Sequence, residues 1–140
     1  MKTFNFSPFH SDDIDPVIGL WRRCDLLRPW NDPRHDIDLV RRSGHGSLLV
    51  GRPAEGGPLL ATVMVGHDGH RGWIYYLAVD PDHRGLGLGR QAVAAAEEWL
   101  SRRGLPKAML MIRPENEAVR AFYARCGYEV EERIIMARRL

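Results

Sequence analysis

A turn with three alternating glycines, Gly85-Leu86-Gly87-Leu88-Gly89, follows the apolar run Leu77-Ala78-Val79 and precedes a helical pattern. Alternate glycines allow successive backbone N–H groups to point into one concavity, and the first turn of the next helix adds unpaired donors and a partial positive charge. This arrangement favours the binding of an anion such as a diphosphate. Because a glycine-rich turn before a helix is ordinary loop chemistry in roughly half of cases, the flanking residues must decide between the two interpretations.

Two well-known phosphate-binding loops fit this turn poorly. A Walker loop ends in Gly-Lys-Ser or Gly-Lys-Thr, whereas Gly89 is followed here by Arg90. A dinucleotide fingerprint needs the spacing G-x-G-x-x-G, and an acidic residue about 20 positions further on after a second strand. Neither pattern describes the turn.

The elements around this turn alternate between strand and helix patterns. Apolar residues at i, i+3, i+4 and i+7 predict a first amphipathic helix through Ile14, Val17, Ile18 and Trp21. Asp32 as N-cap, followed by Pro33, predicts a second helix that ends near Gly44, with Ile37 and Val40 facing the core and Leu39 as a further candidate. The other strand patterns predict a first strand ending at Pro8, four strands over residues 47–51, 59–66, 73–79 and 108–113, and a final strand or strands over 128–139. Two further helices are predicted, one that follows the glycine turn and ends at Gly104, and one over residues 116–125. Strand 108–113 should run parallel to the central strand, 73–79, because a helical crossover connects them.

Two segments resemble the motifs of a known family. The spacing Arg84-x-x-Gly87-x-Gly89, directly after the central strand, resembles motif A of the GNAT family of N-acetyltransferases. The segment from Asn116 through Phe122-Tyr123 to Gly127-Tyr128 looks like motif B of the same family. Residues 21–33 and 66–72 are similar to its YpeA-like branch.

The resemblance covers essentially the whole chain and implies its fold. We expect one domain over residues 1–140, of the α/β (α+β) class, with the GNAT acyl-CoA N-acyltransferase fold. In that fold a mixed, mostly antiparallel central sheet is flanked by helices and contains a splayed pair of parallel strands. The resemblance also implies acetyl-CoA as the co-substrate.

The resemblance implies which residues bind acetyl-CoA. Main-chain groups of Leu77, Ala78 and Val79 would pair with the pantetheine arm, and the amide near Leu77 would hold the acetyl oxygen. The backbone of the turn would hold the diphosphate through Gly85, Leu86, Gly87, Leu88 and Gly89, with Arg84 bracing the loop or adding charge and Arg90 at its edge. Asn116 would cap its helix and also contact the pantetheine arm.

The resemblance places Tyr123 near the sulfur of the coenzyme, where it would act as the general acid. A phenol suits this role because an ordinary pKa near 10 keeps it protonated at neutral pH and still able to donate to a thiolate. The general base stays open. Peptide N-terminal acetyltransferases of this fold use an acidic residue where this chain has Met111. The remaining candidates are Tyr75, Tyr76, Asp68, His70, Glu115 and an ordered water.

Substrate recognition in this fold usually falls to the loop between the first two helices, here residues 24–32, and to the late hairpin. Trp30 would form an apolar wall, Asp25 and Asp32 would receive a cationic amine, and Arg28 would hold a carboxylate. Tyr75 on the central strand is a further candidate. Alternatively, Trp30 fills the core beneath the loop. An amino acid, a small amine, an antibiotic amine and a protein lysine all remain possible acceptors.

Composition excludes several other classes of function. The chain has 140 residues, 44% of them hydrophobic, and a formal net charge of +2 with acidic and basic residues interspersed, which argues against nucleic acid as the main partner. Because the sequence has no signal-peptide pattern and no apolar run of about 18 residues, we expect a cytoplasmic protein with no membrane partner. Its oligomeric state is expected to be either a monomer or a homodimer. Cys24 and Cys126 lack metal-ligand spacing and are expected to be reduced thiols, with no metal site.

The leading functional hypothesis is direct acetyl transfer from acetyl-CoA to a primary amine in a ternary complex. Direct transfer is favoured because neither cysteine has a local histidine partner for nucleophilic work. The alternative is a non-catalytic acyl-CoA-binding sensor or interaction module of the same fold. Met111, in place of an acidic residue, favours the alternative, and Tyr123 counts against it.

Overall fold

The computed structural model describes residues 2–140, which fall into two compact units with the division after Leu110. The first unit contains five strands and three helices, in the order β1 (Phe4–Pro8), α1 (Ile14–Arg23), α2 (Pro33–Ser43), β2 (Gly46–Pro53), β3 (Ala61–His67), β4 (Gly72–Val79), α3 (Leu88–Arg102) and β5 (Ala108–Met109). Short 3-10 turns precede α1 and follow β4. The second unit contains one helix, α4 (Glu117–Arg125). Between residues 2 and 140 no helix has the length and apolar character needed to cross a membrane.

The five strands form one mixed sheet in the order β1-β2-β3-β4-β5. Strands β1 to β4 are antiparallel to one another along the sheet. Strand β5 runs parallel to β4, with Gly72 opposite Ala108 and Trp73 opposite Met109. The predicted fold class, a mostly antiparallel sheet with one parallel pair and flanking helices, is confirmed. The parallel pair follows from α3, which crosses over between β4 and β5.

The apolar stripes of α1 and α2 pack on the sheet as their spacing predicts. Val17, Leu20, Trp21 and Ile37 are almost fully buried, and they cluster with strand residues such as Leu48, Val50, Met64 and Ala78. The indole N–H of Trp21 donates to the Thr62 hydroxyl at 2.9 Å, so the largest core side chain has its polar atom satisfied. This contact fixes α1 against the start of β3.

The bounds of α2 agree with the capping signals in the sequence. The Asp32 side chain accepts hydrogen bonds from the backbone N–H groups of Arg34 at 3.0 Å and His35 at 3.3 Å, and Gly44 ends the helix in the left-handed region with φ of 76°. The prediction for Leu39 was wrong, since its side chain is 47% exposed. It lies on the side of α2 that borders an open cleft.

Two strand predictions need correction. The strand expected over residues 108–113 is only Ala108–Met109 within the first unit. Taken by itself, the second unit forms no strand over residues 128–139. The helix predicted over residues 116–125 is confirmed as α4, and Tyr123 is its buried side chain.

Candidate active site

Strand β4 contains a β-bulge at its centre. Thr62 lies opposite Ala78 and Met64 lies opposite Tyr75, so two steps along β3 correspond to three along β4. The extra residue is accommodated because Tyr76 adopts a left-handed conformation with φ of 50°, which is rare for a bulky side chain. The ladder is interrupted beside Leu77, one of the residues expected to offer main-chain groups to a ligand.

Tertiary contacts hold Tyr76 in this unusual conformation. Its ring stacks on Trp21 with 3.8 Å between ring centroids and 10° between planes. Its hydroxyl donates to Asp36 Oδ2 at 2.6 Å, and its carbonyl accepts from the Thr62 hydroxyl at 2.9 Å. Burial and the hydrogen bond to Asp36 raise the pKa of Tyr76 well above its usual value. The phenol therefore stays protonated.

The glycine turn opens the N-terminus of α3 to solvent. Gly85 and Gly87 have φ of 81° and 79°, and a Cβ placed at Gly85 would meet no atom within 4 Å. Gly87 is the N-cap of α3, no side chain caps the helix, and its first turn contains no acidic residue. The first N–H groups of the helix are therefore not capped by a side chain, and together with the partial positive charge of the helix N-terminus they suit an anion.

Asp80 anchors the loop between β4 and the glycine turn. Its carboxylate accepts from Arg23 Nη2 at 2.7 Å and from the backbone N–H of Asp82 at 2.9 Å, and it lies 3.2 Å from His83 Nδ1. Burial acts to raise the pKa of Asp80, but these donors outweigh it and hold the pKa below its usual value. The ion pair ties the loop to the end of α1.

Replacing Asp80 by asparagine should therefore destabilise the fold in a pH-dependent way. A carboxyl whose pKa is lower in the folded than in the unfolded state stabilises the protein above its unfolded pKa, and this stabilisation is lost as the pH falls through the folded value. We expect the free energy of unfolding to fall by about 1–3 kcal/mol at pH 7 and the difference to shrink below about pH 4. Urea denaturation of Asp80→Asn and of the exposed neighbour Asp82→Asn checks this. Equal losses in the two variants at pH 7 would contradict it.

The main chain next to the bulge already has one side-chain partner. The Cys24 thiol donates to the carbonyl of Val79 at 3.2 Å. Cys24 and Cys126 are both free thiols, as predicted. Since Cys24 is half-buried and directed at this carbonyl, it fixes α1 to the end of β4.

In the second unit, Tyr123 and Asn116 have well-defined surroundings. Tyr123 is 6% exposed and makes edge-to-face contacts with Phe122 and Tyr128, at centroid distances of 5.1 and 5.5 Å. Burial and the nearby Cys126 raise the pKa of the Tyr123 hydroxyl, so it remains protonated at neutral pH. The Asn116 side chain accepts from the Val119 N–H at 3.2 Å, which confirms its capping role.

The loop between α1 and α2 is engaged mainly with itself. Arg28 donates to the carbonyls of Asp25 at 2.8 Å and Leu27 at 2.9 Å, and its guanidinium lies 3.8 Å from the Asp25 carboxylate. Trp30 is 52% exposed, so the interpretation that it fills the core was wrong. The predicted acceptor residues Asp25 and Arg28 lie together, and the guanidinium that was expected to hold a carboxylate is directed at its own loop.

A cleft of about 840 Å³ lies between α2 and the strands β3 and β4. Tyr76 and Asp36 line it, together with Tyr75, which is 43% exposed, and Trp73. Burial and the charge of Asp68 raise the pKa of Tyr75. The cleft therefore shares Tyr76 with the bulge, and it contains Tyr75, a predicted acceptor residue, within the influence of the Asp68 charge.

Comparison with known proteins decides the family. The sequence model of the acetyltransferase (GNAT) family matches residues 16–128. The chain belongs to the GNAT acetyltransferases. An acetyltransferase of Pectobacterium atrosepticum is 45% identical over 132 residues, covering 94% of this chain and 92% of that relative. An acetyltransferase of Yersinia pestis (strain Pestoides F) is 43% identical, with the same coverage.

Solved GNAT structures share the fold at lower identity. AAC(6')-Iy in complex with the bisubstrate analogue CoA-S-monomethyl-acetylneamine has a TM-score of 0.81 and 18% identity, with 99% of both chains covered. Glucosamine-6-phosphate N-acetyltransferase from Arabidopsis thaliana has a TM-score of 0.72 and 22% identity, also with 99% of both chains covered. The fold expected for a GNAT chain is therefore confirmed.

Among the candidates for the general base of this GNAT chain, Asp68 is disfavoured by its own turn. Its carboxylate accepts from the backbone N–H groups of His70 and Arg71 at 2.9 and 2.7 Å and from the Trp73 indole at 3.2 Å. These donors lower the pKa of Asp68 to about 2. A carboxylate held so firmly in its ionised form is a weak proton acceptor.

Sequence reasoning missed Asp36. The residue lies in the first turn of α2, where an acid is ordinarily explained by the helix dipole. A signal was present, because Asp36, Leu39, Val40 and Ser43 follow the i, i+3, i+4, i+7 spacing and share one face of α2. All four line the cleft.

Proposed function

We propose that this GNAT chain transfers the acetyl group of acetyl-CoA directly to a primary amine in a ternary complex. The observation that carries the proposal is that the bulge at Tyr76 and the glycine turn before α3 lie close together in the sequence, at the two ends of one segment. The interrupted strand offers main-chain groups to a pantetheine arm, and the turn offers N–H donors to a diphosphate. The main-chain roles of Leu77, Ala78 and Val79 are part of this proposal.

The residues of the turn fit the diphosphate of the coenzyme. The space beside Gly85 is open, and no carboxylate in the first turn of α3 would repel an anion. Arg84 and Arg90 flank the turn with exposed cationic side chains. Backbone amides of residues 85–89 would therefore bind the phosphate oxygens, and the two arginines would add favourable charge.

The proposed reaction exchanges one bond for another. When bound, acetyl-CoA supplies a thioester whose carbonyl carbon the neutral amine attacks. The new C–N bond forms and the C–S bond breaks. The nitrogen gives one proton to water, the sulfur takes a proton from a general acid, and solvent returns a proton to that acid. The amide of Leu77 would stabilise the charge that develops on the carbonyl oxygen.

Tyr123 is the proposed general acid. Its raised pKa keeps it in the protonated form that can donate, and its buried ring has a fixed orientation between Phe122 and Tyr128. The cap at Asn116 sets the start of α4 two helical turns before Tyr123. The order of α4 thus contributes to the position of the hydroxyl.

A specific observation favours a second candidate, a CoA-binding module without catalysis. Met111 stands where peptide N-terminal acetyltransferases of this fold have an acidic residue, and its side chain is 50% exposed. A thioether cannot accept a proton from an amine. Such a module would bind the coenzyme through the glycine turn but would not catalyse acetyl transfer.

Release of free thiol from acetyl-CoA separates the two candidates. We expect the purified protein to release thiol only when a primary amine is added, with one acetylated amine formed for each thiol. Secondary and tertiary amines of similar size serve as controls. Tight binding of acetyl-CoA without thiol release across a broad panel of primary amines would favour the module and contradict the transferase.

A further inference from the structure

The cleft between α2 and β4 contains one carboxylate that is prepared to bind a cation. Asp36 receives the Tyr76 hydroxyl on Oδ2 at 2.6 Å, and within residues 2–140 this phenol is the one donor to its side chain. A carboxylate has about four acceptor positions, so Oδ1 retains its capacity for further donors. The hydrogen bond from Tyr76 also fixes the orientation of the carboxylate.

Three other ionisable groups that line the cleft already have hydrogen-bond partners. Asp68 accepts three donors from its own turn, as described above. Arg42 donates through Nε to Asp38 Oδ2 at 2.8 Å. His67 Nδ1 accepts the Gly69 N–H at 3.1 Å. Asp36 is therefore the anion best placed to select a charged group inside the cleft.

The walls beside Asp36 are aromatic and apolar. Tyr75 and Leu39 line the cleft with 43% and 47% of their surfaces exposed, and Trp73 and Met64 complete the wall. Aromatic faces attract cations as well as apolar groups, and apolar walls strengthen a charge pair by excluding water. A ligand with a cationic head and an aromatic or apolar body matches both features.

The cleft volume and its position both indicate a small acceptor. About 840 Å³ lies in the range of roughly 300–1,000 Å³ that is typical of small-molecule sites. Tyr76 lines the cleft and also forms the bulge, so a group bound at Asp36 lies beside the main chain that precedes Leu77. That main chain is the part of the proposed site expected to hold the acetyl oxygen.

We propose that this cleft is the acceptor site, that it takes a small primary amine with an aromatic or apolar body, and that Asp36 binds the ammonium group. This inference rests on the proposed acetyl transfer and names the substrate class of that site. It replaces the loop of residues 24–32 as the main source of acceptor contacts. After deprotonation by water, the same amine would be held beside the thioester.

The test compares Asp36→Asn with Asp38→Asn, using tyramine as the acceptor and acetyl-CoA as the donor. Both variants remove one carboxylate from α2, but Asp38 does not line the cleft, and its carboxylate is already paired with Arg41 and Arg42. We expect Asp36→Asn to raise the KM for tyramine at least tenfold, while the KM for acetyl-CoA changes less than twofold. Asp38→Asn should change neither value by more than about twofold. Asp36→Glu, which keeps the charge, should restore part of the affinity.

Direct binding keeps the test independent of turnover. Saturation-transfer NMR should detect tyramine on the wild-type protein in the presence of coenzyme A, and Asp36→Asn should weaken this signal. Equal tyramine affinity in Asp36→Asn and Asp38→Asn would overturn the inference, as would no tyramine binding at millimolar concentration. If tyramine does not bind but other primary amines still cause thiol release, the proposed acetyl transfer is supported and only the inference about the cleft is wrong. Thermal denaturation of both variants confirms that they fold.

Discussion

Replacing Tyr123 by phenylalanine is expected to lower the kcat of acetyl transfer by about a hundredfold or more. General acids contribute typically 10²–10⁴-fold to rate, and phenylalanine keeps the buried ring while removing the proton that the thiolate needs. The dissociation constant for acetyl-CoA should change less than about threefold. Steady-state kinetics together with titration calorimetry separates the two quantities.

Tyr128→Phe is the matched control for this prediction. It also removes a phenol hydroxyl, but it keeps the ring that contacts Tyr123 edge to face, and the Tyr128 hydroxyl has no proposed role in transfer. We expect it to retain most of the wild-type kcat. If Tyr123→Phe turned over as fast as Tyr128→Phe with the same amine, Tyr123 would be removed from the mechanism.

Gly85→Ala is expected to weaken acetyl-CoA binding at least tenfold. Its Cβ would occupy the open space in which the diphosphate is proposed to bind, and the left-handed φ of 81° would become strained. Strain of this kind costs alanine about 1–2 kcal/mol, which should appear as a loss of stability in the absence of coenzyme. Titration calorimetry measures the affinity and urea denaturation measures the stability.

Gly104→Ala provides a control with the same backbone cost. Gly104 follows α3, has φ of 78°, and like Gly85 has no atom within 4 Å of a built Cβ. We expect a similar loss of stability with an unchanged affinity for acetyl-CoA. Equal affinity losses in the two variants would mean that backbone strain, and not the position of Gly85, causes the effect.

Elements with local signals could be predicted from the sequence. The second helix is a clear case, because Asp32 caps its start and Gly44 ends it, and both effects depend on nearby backbone groups. The glycine turn is similar, since Gly85 and Gly87 adopt the positive φ values that their residue type allows. In such places the chemistry of a few neighbouring residues determines the conformation.

The bulge at Tyr76 could not be predicted in this way. A tyrosine gives no local indication of a positive φ, and this conformation depends on contacts with Trp21, Thr62 and Asp36, which lie far apart in the sequence. Asp36 was missed for the same reason. Its partner lies 40 positions away, so the pair becomes visible only once α2 packs beside β4.

The loop of residues 24–32 shows a different limit of sequence reasoning. The residue types of Asp25 and Arg28 suit substrate binding, and the sequence alone could not show that Arg28 would donate to the carbonyls of its own loop. A short loop with few backbone partners often uses a nearby side chain to satisfy its carbonyl groups. Residue type therefore indicated a charged loop, but it could not indicate which partner Arg28 would have.

The central claim is that the backbone amides of the glycine turn bind the diphosphate of acetyl-CoA. Titrating ¹⁵N-labelled protein with acetyl-CoA and following the amide resonances tests this directly. We predict that the largest chemical-shift changes occur in residues 85–90 and along residues 77–79, and that they saturate with one coenzyme bound. Changes confined to other parts of the chain, or none at millimolar coenzyme, would contradict the account.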